Sequence, residues 1–503
     1  MRKILLPILM IVVLSYACSK KEPINPIDPP VIVGSTDEDY LKDSVVYYTK
    51  LLSLWQDYIV PRNVNDILDS VRLREISKPY KTAEEVLNYL ISLTPTDPVT
   101  QSPIDRYSFL DRAGTVSNEI QNSMATDYGM SLFYLQTEEA FKDNDNAYLY
   151  VKMVDVNSPA YIAGIRRGDR IMSINGKTNY DWNTQNLQNF QGLYQALSTS
   201  SLTVKWRTPA SVDTEKSIVS SSYNFNPILS DKIFEVGDKK VGYLAFSSFV
   251  NVMNGGSRTQ AYTNFERIFN SFESEGVNAL IIDLRYNGGG SVLTAEYMAD
   301  RLAPRSANEQ LMYSYNINKV MDEDWGWKEE GESFAPVYFN KKGNLDVPTI
   351  YFLVTESTAS ASELLINTLS PYMNVQIIGT KNTYGKPVGF FGIDMGRGRS
   401  TGEIYVTSFQ MFNGEGYGDY FAGLKPQKIA REDYLKDFGN PEEGLIAEAL
   451  YHAANGTYAT ANNRTLASKD RLRINNTKAL KTVTTRVSDL GMFKFEGDKP
   501  HLK

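Results

Sequence analysis

Three short runs constrain the fold of this chain more than anything else in it. Ala279–Leu284, Pro348–Val354 and Val375–Ile378 are almost continuously apolar. A strand with one wet face alternates apolar and polar residues, whereas a strand covered on both faces does not. Runs this short have strand length rather than helix length. They predict buried parallel strands with helices on both sides of the sheet. A strand-like Val241–Phe246 and a helix-like Gln260–Phe272 precede the first run, which completes the start of an α/β core over residues 230–456.

At 503 residues the chain is too long for one ordinary domain, and its flanks differ in character. Residues 38–115 carry a helical period, with Tyr47, Leu51, Leu52, Trp55 and Ile59 at three- and four-residue steps. Thr82 followed by Glu85 is a helix-start pattern. This predicts a small helical N-terminal domain. Residues 120–210 alternate short strands with turns. Residues 457–503 are polar, and from Tyr458 on they hold ten basic and four acidic residues, the pattern of a solvated tail.

The start reads as an export signal. Arg2 and Lys3 precede an apolar run from Ile4 to Val13, too short to span a bilayer comfortably. The residues up to Ala17-Cys18 resemble a bacterial lipobox. That implies a signal peptide over 1–17, lipid on Cys18, a tether over 18–37 and a place in the cell envelope, facing the periplasm or the cell exterior. The competing reading is a simple secretory signal with an incidental cysteine. Cys18 is the only cysteine, which excludes internal disulfides, thiolate metal sites and a cysteine nucleophile. A net charge of -7 argues against nucleic acid as a partner. The two histidines, His452 and His501, are poor material for a Ser-His-Asp triad or a histidine zinc site. No cofactor or metal is expected, and a hydrolytic base has to come from another residue type, with lysine the obvious substitute.

Three loops follow the three buried strands, and in a parallel sheet the carboxyl ends of strands share one edge, where such sheets hold their ligands. The first, Asp283-Leu284-Arg285-Tyr286-Asn287-Gly288-Gly289-Gly290, offers bare backbone N–H groups for an oxyanion, or is simply a tight turn. The second, Thr355–Glu363, puts serines between a strand and a helix start; Ser357, Ser360 or Ser362 is either a nucleophile or a helix cap. The third, Gly379–Pro387, holds Lys381 and Lys386. Lysine acts as a base only when desolvation lowers its pKa. Lys386 lies beside Tyr384 and before Val388 and Phe390, whereas Lys381 has polar neighbours.

In order, the Asp-Leu-Arg-x-Asn-x-Gly-Gly loop, Ser360-Ala361-Ser362-Glu363 and Gly385-Lys386 resemble the motifs of the C-terminal processing and tricorn-type serine peptidases. Asp105–Leu110 and Gly423-Leu424-Lys425-Pro426 extend the resemblance. It implies a spiral, crotonase- and ClpP-like α/β core of mostly parallel sheet, Ser360 as nucleophile and Lys386 as base. It also implies an oxyanion hole from Ala361 and Gly289, the latter chosen among Gly288, Gly289 and Gly290. Phe390 stands where many members have a glutamine. Residues Val156–Gly176 closely resemble a PDZ domain, which takes a peptide C-terminus as an added strand. By that resemblance the carboxylate loop and first strand are Tyr128-Gly129-Met130-Ser131. Together these imply an endopeptidase acting on unfolded polypeptides or on those with accessible C-termini. The alternatives are an inactive PDZ-bearing scaffold or chaperone on the same fold, and an acyl-CoA enzyme on a related core. The sequence fixes no oligomeric state.

Overall fold

The computed structural model describes residues 29–395, 402–460, 477–484 and 491–494. The signal segment 1–17, Cys18 and most of the tether lie outside the described residues. Among those described, no helix is long and apolar enough to cross a membrane.

Helices α1 (Asp37–Leu52), α2 (Ser70–Ser77) and α3 (Ala83–Ser92) make the N-terminal unit. Thr36 caps α1, and three acidic residues fill its first turn, where the helix dipole favours them. Thr82 caps α3 by accepting from Glu85 N, while Glu85 accepts from Lys81 N at 2.7 Å. The helical period runs past α1 but the helix does not: Leu54 N donates to Thr407 O at 2.8 Å in the neighbouring sheet. Trp55 and Ile59 therefore flank a single 3-10 turn.

The second unit holds β1 (Met130–Gln136), β2 (Tyr148–Val154), α4 (Pro159–Ala163), β3 (Arg170–Ile174), α5 (Gln191–Leu197), β4 (Ser201–Arg207) and β5 (Asp213–Val219). The strands form one antiparallel sheet in chain order. Ser158 caps α4, Pro159 opens it, and Gly164 closes it at φ +100°.

The core begins with β6 (Ile228–Val236), β7 (Lys239–Phe246), α6 (Gln260–Ser274), β8 (Ala279–Asp283) and β9 (Gly289–Ser291). It continues through α7 (Val292–Leu302), β10 (Leu311–Ile317), β11 (Thr349–Val354), α8 (Ala361–Leu369) and β12 (Asn374–Gly379). It closes with β13 (Val388–Asp394), β14 (Glu403–Asn413) and α9 (Gly444–Asn455). One sheet runs β12-β11-β8-β7-β6, parallel from β12 to β7. Its two faces explain the unbroken apolar runs. Leu280, Ile282, Ile350 and Phe352 enter the main core, while Ile281, Tyr351 and Leu353 pack with Leu445, Ile446 and Ala449 of α9.

The second core sheet contains a surprise from the C-terminal segment. Two strands, β15 (Lys478–Val483) and β16 (Gly491–Lys494), come from what reads as a solvated tail. β15 joins the edge of β1, antiparallel. β16 lies parallel between β9 and β13. The few large apolar residues of these stretches carry the docking: Val483 is 1% exposed, Met492 0% and Phe493 1%.

Candidate active site

The three expected loops do leave the carboxyl ends of adjacent strands, β8, β11 and β12. The first is held at its root by Arg285, whose fully buried guanidinium meets Asp283 at 2.6 Å and Glu432 and Glu443 at 3.1 Å each. Glu432 also takes Arg167, from the second unit, at 2.6 Å. Such a buried ionic knot is stable only while every member is present. Further along, Asn287 staples the loop: its amide donates to Phe246 O at 3.0 Å, and its side-chain oxygen accepts from Gly289 N at 3.0 Å. Its carbonyl accepts from Ala359 N and Ser362 Oγ, each at 3.1 Å. Gly289 sits at φ +110°, and a Cβ there would come 2.9 Å from Ser360 Cβ. Only glycine permits that approach.

Ser360 lies between β11 and α8 at φ +64°, ψ -114°, a strained region for a residue with a Cβ. It is 0% exposed, and its hydroxyl has no hydrogen-bond partner among the described residues. An unpaired buried hydroxyl costs about 1–3 kcal/mol. Ser360 and Glu363 nonetheless stand as a capping box at the start of α8, the arrangement that one reading of the serines predicts. The tight half of that box is Glu363, which accepts from Ser360 N at 2.8 Å.

Lys386 is 1% exposed. Its Nζ sits 4.0 Å from the centre of the Phe390 ring and 5.4 Å from that of Tyr107. Burial pushes the amine well below the ordinary lysine range, and the Asp105 and Glu363 carboxyls pull partly the other way. Lys381, by contrast, is 70% exposed in its side chain and pairs with Glu356. The residue that ties the Ser360 loop to the Lys386 loop is Glu363. One carboxylate oxygen accepts both Ser360 N and Lys386 N at 2.8 Å, so these amides lie within two hydrogen-bond lengths of each other. The other accepts Gly385 N at 2.7 Å and the Thr383 hydroxyl. The direct Ser360–Lys386 hydrogen bond is not formed. The Asp105-Arg106-Tyr107 segment closes the site: Tyr107 OH donates to Gly385 O at 2.6 Å and Arg106 to Phe421 O at 2.9 Å. Among the described residues, no cluster of His, Cys, Asp and Glu suits a metal ion.

The sequence motif assigns Glu363 no role. The Ser-x-x-Glu spacing announces a helix cap, but nothing local announces the reach to residues 383–386. Glu363→Gln replaces an acceptor with an amide that opposes donors. We expect kcat to fall by about tenfold or more with KM little changed, since the loops that carry the chemistry lose their common clamp. Steady-state kinetics alongside a thermal melt separates this from simple unfolding.

The loop and strand start expected to take a peptide are held by backbone pairing. Tyr128 O accepts from Ala160 N at 3.0 Å, and Gly129 O from Asp155 N at 2.9 Å. A Cβ on Gly129 would come 2.0 Å from Ser158 Cβ, so the loop needs its glycine. Met130 and Ser131 pair with Val154 and Met153. The other side of β1 carries β15.

A parallel sheet with a strained buried serine and a dry lysine at its loop edge, joined to a small antiparallel module, matches a serine-peptidase architecture. A family model described as peptidase family S41 matches residues 240–427, and a PDZ domain model matches residues 150–208. It is 30% identical over 237 residues to a carboxyl-terminal-processing protease of Picosynechococcus, covering 46% of this chain and 48% of that one. It is 26% identical over 297 residues to the carboxy-terminal processing protease CtpA of Bacillus subtilis, covering 59% of this chain and 56% of that one. The chain thus spans about half the length of the curated relatives it matches. A solved structure of a Bacteroides fragilis protein named for the S41 proteases shares the fold, at 24% identity and a TM-score of 0.61, over 85% of this chain and 99% of that one.

Proposed function

We propose that the chain is a serine endopeptidase of the cell envelope, anchored through lipid on Cys18, that cuts unfolded polypeptides or those with accessible C-termini. The observation that carries this reading is the single Glu363 carboxylate holding the amides of a strained serine and a desolvated lysine. In the reaction, neutral Lys386 takes the Ser360 proton, and the serine oxygen attacks the scissile carbonyl. The oxyanion is held by amides of the glycine loop and of Ala361, at the positive end of α8. Asn287 holds the Gly289 amide in this structure, so Gly289 serves as a donor once substrate displaces that contact. Protonated Lys386 returns its proton to the leaving amine, and water then releases the acyl group from Ser360. The β1 edge of the PDZ domain, with Tyr128, Gly129, Met130 and Ser131 at its start, supplies the docking place for a peptide terminus.

Prolonged incubation with a fluorophosphonate probe tests the assignment. The expected outcome is one covalent adduct, mapped by mass spectrometry to Ser360. An adduct at another serine, or none, would remove Ser360 from the reaction.

A further inference from the structure

The strand β16 occupies a place that a peptidase has to leave open. β9 carries the oxyanion glycines and β13 follows the Lys386 loop, yet among the described residues the two strands are joined only through β16. Its register pairs Gly289 with Gly491 on one side and Phe390 with Phe493 on the other, parallel to both. Without β16 the sheet has a gap one strand wide beside the catalytic loops. The contacts at Gly289 show how close the occupant comes. A Cβ there would meet Gly491 O at 2.3 Å, Ser360 Cβ at 2.9 Å and Ala361 N at 3.1 Å. A carbonyl of the occupant, the nucleophile and the first amide of α8 converge on one point. An acyl substrate has to bring its own carbonyl to that neighbourhood.

We propose that this gap is the substrate-strand site of the cleft, that it takes an extended polypeptide with a small, a large apolar, an aromatic and a basic residue in succession, and that Gly491–Lys494 holds it as a tethered competitor. The proposal rests on the peptidase reading and names the substrate class of that site. The pockets are visible from their present occupant. Gly491 N donates to Gly288 O at 3.1 Å. Met492 enters the main core. Phe493 turns to the opposite face, its ring 5.6 Å from Phe390 and 5.2 Å from Tyr405. Lys494 Nζ donates to Ser333 O at 2.6 Å and lies 4.7 Å from the ring centre of Tyr315 and 4.9 Å from that of Phe334. Backbone pairing with pockets for alternating side chains is how a sheet selects a peptide strand. Phe390 also covers Lys386 Nζ, so the occupant's aromatic residue thickens the dry wall behind the base. A separate observation agrees. The same segment fills the other peptide-receptive edge, where β15 lies against β1 with Val483 in the PDZ core and Lys481 Nζ 4.9 Å from the Phe190 ring.

The test uses the full chain and two readouts. The probe for the first is a fluorescein-labelled peptide with capped ends and the sequence Gly-Met-Phe-Lys, followed by anisotropy. In a Ser360→Ala background, which prevents turnover, adding Phe493→Asp to the tail is expected to tighten peptide binding about tenfold or more, because it removes the tethered rival. A probe with Asp in place of Phe should not bind. Lys494→Glu is the second variant, in case Phe493→Asp lowers the melting temperature. Equal binding with and without the tail substitutions, or indifference to the probe's Phe, overturns the proposal. The second readout keeps Ser360, and Phe493→Asp should there raise kcat/KM on an unfolded protein about tenfold. Tighter binding without any turnover would uphold the strand site and sink the peptidase reading; turnover unchanged by the tail variants would do the reverse.

Discussion

Ser360→Ala is expected to lower kcat by about four orders of magnitude or more, with fragment production from an unfolded protein falling to the level of the buffer control. The size follows from chemistry: alanine leaves no oxygen to form the acyl-enzyme. The same substitution should leave the melting temperature unchanged or raise it. The buried Ser360 hydroxyl makes no close hydrogen bond among the described residues and stands only in a loose capping-box approach to Glu363, so its removal deletes a poorly satisfied polar group rather than a strong contact. Loss of activity together with unimpaired stability is the signature of a group kept for chemistry. A Ser360→Ala chain that still cuts its substrate would end the assignment, and one that unfolds would mean the hydroxyl serves the fold.

Lys386→Arg is expected to be as inactive as Lys386→Met, although arginine keeps the charge. In the proposed reaction the base is a neutral amine, and a guanidinium cannot lose its proton in a protein. The pH profile carries the sign of the same argument. Burial depresses the amine's pKa, so the neutral, active form predominates above that depressed value. Turnover should rise with pH to a plateau and fall as pH drops through it. Phe390→Ser would admit water to the amine. The pKa should then move back toward the ordinary lysine value, and the acid limb of the profile should shift to higher pH. A pH-independent rate, or a limb that does not respond to Phe390, would argue that Lys386 is not the base.

What the sequence disclosed follows from the range of the interactions. The buried strands were legible because covering both faces of a sheet forces a continuous apolar run, as the two clusters around Ile281 and Ile282 demonstrate. The helix start at Thr82 was legible because caps act within three residues. The end of α1 was not, since a hydrogen bond from Leu54 to Thr407 overrides the local period. The candidate site was legible as motifs, but not as an arrangement. Glu363 reaches across to residues 383–386, and Asn287 ties a glycine loop to a serine loop seventy residues away; neither has a local signal. Strand β16 was hidden for another reason: four residues with two apolar side chains have no period to detect.

That short strand has a kinetic consequence. A segment on the same chain revisits its cleft at an effective concentration on the order of millimolar, whatever the protein's own dilution. A dilute free polypeptide competing for one groove would rarely win. One that engages the PDZ edge and the cleft together gains the same tethering advantage and can win at both. The enzyme would then be self-limiting toward short or folded encounters and permissive toward long, unfolded chains. That discrimination would come from mass action, with no switch in conformation required.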